Sequence, residues 1–186
     1  MRFSLNFVLL GAASVANAFI SPGQLIRSID DITKSTEALI KPAGQLSIAD
    51  APKLILGSGS FFASLDSNMH GTDVTRLTTD VGGSLTGAVK GTFDGKDGDD
   101  IVASVKKLSN TFSDLLDAFL DKANIFGEIP FVGTPFRIAI ALTKRAFNDF
   151  TGTIINTLSG SQANDARSSV QGVDSKFTRT ITITEN

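Results

Sequence analysis

The chain has 186 residues, with 17 basic and 19 acidic side chains, a formal net charge of −2 and no cysteine. That composition excludes disulfides, thiolate nucleophiles and zinc–thiolate sites, and it offers no basic stripe interleaved with aromatics of the kind that grips nucleic acid. All 14 aromatic residues are Phe, with no Trp or Tyr, so the aromatic surface carries no polar handle.

Residues Met1 to Ala18 have the three parts of an export signal. Arg2 supplies the positive start, Phe3 to Val15 form an apolar run too short to span a bilayer, and Ala16-Asn17-Ala18 is a small-x-small cleavage site. The mature chain is then expected to begin at Phe19. Positions 19–186 are the size of one domain, large enough to bury roughly 68–70% of its unfolded surface without a covalent staple. No later stretch reads as a transmembrane helix, and the polar ending Thr184-Glu185-Asn186 is unlike a removable lipid-anchor tail. A released, extracellular protein is the expectation.

Helical periodicity marks five segments. Ser21 as N-cap and Pro22 at N1 open the first, whose inward positions Leu25, Ile29, Ile32, Thr36 and Leu39 are widened by Ile26 and Ile40. Lys41-Pro42 is expected to end it, because the residue before a proline resists the helical region. The second spans about Asp50 to Met69, with Leu54, Ile55, Phe61, Phe62, Leu65 and Met69 towards one side. Gly57 and Gly59 weaken it. A third starts at Thr72 or Asp73 and aligns Val74, Leu77, Val81, Leu85 and Ala88.

Asp94 to Asp100 reads as a loop, with Asp99 or Asp100 capping a fourth helix. In that helix Ile101, Val105, Leu108, Phe112, Leu115 and Phe119 recur in threes and fours, flanked by Val102, Leu116 and Leu120. A largely apolar connector, Ile125 to Val132, leads to Thr134-Pro135 and a fifth helix reaching about Leu158. There Phe136, Ile140, Phe147, Phe150 and Ile154 share a face. Ser159-Gly160-Ser161 ends it. In the tail, Ala166, Val170, Val173 and Phe177 suit a final helix, while Phe177 to Thr184 alternates as an edge strand would. The fold expected is all-α, a bundle of about five helices with an ambiguous C-terminal tail.

Catalytic chemistry has little to stand on. The lone histidine, His70, sits at an expected helix end. Gly83-Ser84-Leu85-Thr86-Gly87 puts its serine one place too early for a nucleophile elbow. The acidic loop fails the calcium-binding spacing because Lys96 stands where Asp or Asn is needed. No metal, cofactor or catalytic residue is assigned, and the protein is read as a non-enzyme. Gly83, Gly87 and Gly91 recur at about one helical turn, consistent with close helix approach or with room for a ligand between helices.

The Phe residues carry the most information. Bundles hold ligands in apolar slots between helices, and the candidate lining here is Phe61, Leu65, Phe112, Leu115, Phe119, Phe147 and Phe150. Each buried methylene of a lipid tail would contribute about 0.8 kcal/mol, so recognition would need few polar groups. Phe126, Phe131 and Val132 lie in the connector, where they either fold back into the core or present an apolar contact surface.

Four stretches resemble the fungal hydrophobic-surface-binding protein A family, which includes cell-wall galactomannoproteins. They are Ile29-Asp30-Asp31-Ile32, Asp73 to Val81, Leu108 to Phe119, and Val173-Asp174-Ser175-Lys176-Phe177, which together span most of the mature chain. The resemblance implies an all-helical bundle, secretion to the cell wall or medium, and binding to hydrophobic surfaces or to lipids such as fatty acids held in a central cavity. It also implies proximity to cell-wall polysaccharide. Its alternative outcome is a structural or interaction protein of the fungal wall with a filled core and no ligand. No Asn-x-Ser/Thr sequon is present, so any mannose would be O-linked.

Overall fold

The computed structural model describes residues 20–47, 92–123, 125 and 133–183. Within them the chain forms four long helices: α1 (Pro22–Gly44), α2 (Gly95–Leu120), α3 (Gly133–Thr157) and α4 (Gly160–Ile183). Among the described residues the only β pairing is one isolated parallel bridge between Phe93 and Leu158. The fold is an all-helical bundle. The second and third expected helices, with Phe61, Leu65, His70 and the Gly83–Gly91 series, lie outside the described residues, as do Phe126, Phe131 and Val132.

α1 begins as its sequence dictates. The Ser21 hydroxyl accepts from the Gln24 backbone N–H at 3.2 Å, and Gln24 Oε1 accepts from the Ser21 backbone N–H at 2.9 Å, a reciprocal capping box. Pro22 loses nothing at N1, where its absent N–H would have had no helical partner. Leu25, Ile29, Ile32, Thr36, Leu39 and Ala43 are buried along the inner stripe. The helix does not stop at Lys41 but continues through Pro42 to Gly44. Pro42 gives up the bond that its missing N–H would have made to the Ala38 carbonyl and crowds that carbonyl with its ring, and the helix ends two residues later. The Gln45 N–H then closes the end on the carbonyls of Lys41 (3.1 Å) and Pro42 (3.2 Å).

α2 starts earlier than the sequence suggests, with Asp94 as N-cap and Gly95 at φ +50°. That left-handed turn is cheap only for glycine, and it lets the Asp- and Gly-rich stretch become the first helical turns instead of a loop. The acids Asp97, Asp99 and Asp100 then sit near the positive end of the helix dipole. Ile101, Val105, Leu108, Phe112, Leu115 and Phe119 are all buried, with Val102 and Leu116 beside them.

α3 buries Phe136, Ile140, Phe147, Phe150 and Ile154, and α4 buries Ala166, Val173 and Phe177. The tail is helical, not an edge strand, through Ile183. Its threonines make this possible: Thr178, Thr180 and Thr182 each donate the hydroxyl to the carbonyl four residues back, at 2.9–3.1 Å. β-branched side chains that favour strands are thereby accommodated in the helix.

Among the described helices, α1 packs most extensively against α2, α2 against α4, and α3 against α4. One end of the bundle is tied by backbone and side chain together. The Phe93 N–H donates to the Thr157 carbonyl (2.9 Å), and the Ser159 N–H donates to the Phe93 carbonyl (3.2 Å). Gln162 adds a bridge between the starts of α4 and α2, its Nε2 donating to the Gly95 carbonyl and to Asp99 Oδ1, each at 2.8 Å. Gly98 makes the bridge possible, because a Cβ there would lie 2.6 Å from Gln162 Cδ.

Candidate functional site

α2 and α3 are spanned chiefly by rings. Phe112 and Phe147 meet with centroids 4.9 Å apart, and Phe119 meets Phe136 edge-to-face at 4.9 Å. Phe177 of α4 completes a trio, 5.8 Å from Phe112 and 5.7 Å from Phe147. These tilted and edge-on geometries are the favoured ones for aromatic pairs. Heptad-like apolar spacing on each helix brings the rings to the same level, with α3 running opposite to α2 and α4.

Beside Phe112 and Phe147 lies a small cavity of about 20 Å³, lined by Ile32, Leu108, Phe112, Thr143, Ala146, Phe147 and Phe150. The one polar lining side chain is turned away from it, since Thr143 Oγ1 donates to the Ala139 carbonyl at 2.9 Å. Buried Thr33, Thr36 and Thr151 likewise satisfy their hydroxyls on the carbonyls four residues back, and so present methyl groups to the interior. The space is enough for about one water molecule, which its apolar walls would bind poorly; a benzene-sized guest needs roughly 150 Å³.

Of the seven lining residues expected from sequence, the structure brings Phe112, Phe147 and Phe150 to this cavity. Leu115 and Phe119 are buried on the same helix, but Phe119 serves a second aromatic cluster with Phe136. Phe61 and Leu65 lie outside the described residues. Sequence reasoning did not nominate Ile32, Leu108, Thr143, Ala146 or Phe177. The signal for Phe177 was present, in its register with Val173 and Ala166, and so was that for Ile32 on the inner stripe of α1.

The aromatic trio is fastened at its rim by polar contacts. Lys144 Nζ lies 3.1 Å from Asp174 Oδ1 and donates to Thr178 Oγ1 at 2.8 Å. Asn148 Nδ2 donates to the same Asp174 oxygen at 2.8 Å. These residues bracket Phe147 and Phe177 in sequence, so the latch joins α3 to α4 beside the ring pair. The Asn148 hydrogen bond, aided by Lys144, holds the Asp174 carboxyl below the usual carboxylate range. Lys176 Nζ, 2.6 Å from Asp117 Oδ2, ties α4 to α2. Among the described residues no cluster of His, Cys, Asp or Glu could hold a metal ion, and no helix is long and apolar enough to cross a membrane. The chemistry available at the site is apolar contact.

No family model matches the sequence, and no curated protein matches it. The fold does have a solved counterpart. The crystal structure of AfMP4p in complex with palmitic acid superposes with a TM-score of 0.72, covering 89% of this chain and 100% of that one at 13% identity. At that identity the likeness shows a shared helical architecture.

Proposed function

We propose that this chain is a secreted lipid-binding protein of the hydrophobic-surface-binding type, which takes an apolar chain such as a fatty-acid tail between its helices and does no catalysis. The observation that carries the proposal is the aromatic seam of Phe112, Phe147 and Phe177 across α2, α3 and α4, beside an apolar cavity. The neighbour of the same fold holds palmitic acid, which supports the ligand class. The export-signal pattern of residues 1–18 supports secretion.

The cavity of about 20 Å³ sets the mechanism. A lipid tail enters only if rings swing aside, so the ligand selects an opened conformer and its affinity is reduced by that conformer's scarcity. The rings are closely packed and latched at the rim by Lys144, Asn148 and Asp174, so their opening is the costly step that the ligand's apolar contacts must offset. The same small volume favours a second reading, a wall protein whose core is filled and binds nothing. Displacement of a fluorescent fatty acid from the purified mature chain separates the two. Saturable, stoichiometric displacement supports lipid binding, and its absence supports the filled bundle.

A further inference from the structure

The two ends of the α3–α4 contact are built differently. At the turn, the Phe93 backbone pairs with Thr157 and Ser159, and Leu158 between them is wholly buried. About 20 Å along α3 from Thr157, side chains join the helices instead. Lys144 Nζ reaches Asp174 Oδ1 at 3.1 Å and donates to Thr178 Oγ1 at 2.8 Å, and Asn148 Nδ2 donates to the same Asp174 oxygen at 2.8 Å. Lys144 and Asp174 keep 26% and 41% of their side chains accessible, so water replaces each partner when the contact breaks and the net cost is small. Phe147 follows Lys144 by three residues and Phe177 follows Asp174 by three, and their rings meet at 5.7 Å. Among the described helices, α3 packs most extensively against α4 and reaches α2 through ring pairs. Parting α3 from α4 therefore draws Phe147 away from Phe177 and unseats the cavity wall, to which α3 contributes Thr143, Ala146, Phe147 and Phe150.

We propose that α3 and α4 form a hinged gate: they swing apart about the turn pinned by Phe93, the contact of Lys144 and Asn148 with Asp174 is the latch, and an apolar chain enters along the seam between them. The inference rests on the reading of a lipid-binding bundle and adds the route of entry and the contact that limits it.

The absence of cysteine makes the test direct, because Val173→Cys places a unique thiol beside Asp174 at a position only 1% exposed. In the ligand-free protein its modification by a thiol reagent reports local opening. That rate is expected to rise about fivefold with Lys144→Met, which removes the cation and keeps the stem, and to return with Lys144→Arg. In the cysteine-free background, stopped-flow uptake of parinaric acid should quicken by the same factor with Lys144→Met. Its release should be unchanged, because the latch is already open in the loaded protein. Lys176→Met breaks the pair between α4 and α2, and Gln162→Ala loosens the pinned end; both should leave the two rates within about twofold of the parent. Thiol modification indifferent to Lys144→Met would overturn the proposal. So would equal acceleration by Lys176→Met or Gln162→Ala, since the thiol would then be exposed by general loosening. The expected thiol rates in a protein that takes up no parinaric acid would count against the internal binding site and not against the latch.

Discussion

Truncating Phe112 to alanine should both weaken the fold and widen the site. Phe112 is only 6% exposed, touches two other rings at centroid distances of 4.9 and 5.8 Å, and walls the existing cavity. Removing a buried Phe costs the transfer term plus a cavity term, about 3–5 kcal/mol, and the upper part of that range applies where two aromatic partners are lost. For a chain of this size about 4 kcal/mol corresponds to a fall of roughly 8–16 °C in Tm. In urea it corresponds to a midpoint lower by about 2 M if m is near 2 kcal/mol/M. Far-UV circular dichroism during urea titration reads this directly. The same variant should bind a fatty acid more tightly, because one ring no longer has to move before the chain enters. A loss below about 1 kcal/mol would mean that the ring is not packed as described. A clear loss of stability with no gain in ligand affinity would refute the idea that ring displacement gates the site.

Gly98→Ala should displace the Gln162 amide, since a Cβ there would fall 2.6 Å from Gln162 Cδ; the lost hydrogen bonds outweigh the gain in helix propensity by up to about 1 kcal/mol. Gln162→Ala in that background should add little further loss, and thermal melts of the four proteins in the cycle measure this. Ser109 has a buried hydroxyl with no hydrogen-bond partner, so Ser109→Ala is expected to leave stability unchanged or raise it by up to about 1 kcal/mol. A loss in denaturant titration would reveal a bond that the structure does not contain. The folded-state pKa of Asp174 is lowered, so its contribution to stability is fully present above about pH 4 and is lost as pH falls through the lowered folded value. With 41% of its side chain accessible, that contribution is under about 1 kcal/mol. Asp174→Asn should therefore be slightly less stable than wild type at pH 6, and the two should converge in acid.

Local rules foretold most helix faces but not all helix ends. Ser21, Pro22 and Gln24 start α1 by contacts within four residues, which a sequence exposes completely. Pro42 misleads because a proline's bias against a helical predecessor is a preference and not a bar: Lys41 stays helical, and the helix ends two residues after the proline, at Gly44. At Asp94 to Asp100 the turn-forming composition suggested a loop, yet Gln162, more than sixty residues away, bridges Gly95 and Asp99 and fits over Gly98. That contact is tertiary and leaves no local trace. The alternating Thr and Ile of the tail have strand propensity, which was overridden once Phe177 and Thr180 found the core. For the site, periodicity correctly placed Phe112, Phe147 and Phe150 on inward faces. It could not show that Phe119 would pair with Phe136 instead, or that α4 would contribute Phe177, since ring pairing depends on the relative height of helices.

Lipid binding between the helices requires the Phe112, Phe147 and Phe177 rings to part and admit an apolar chain. Nuclear Overhauser spectra of the protein with ¹³C-labelled palmitate test this at atomic range. Contacts between the acyl methylenes and these three rings, saturating at a fixed stoichiometry, are the predicted result. Ring resonances that stay unchanged through the titration, with no acyl contacts to them, would contradict it.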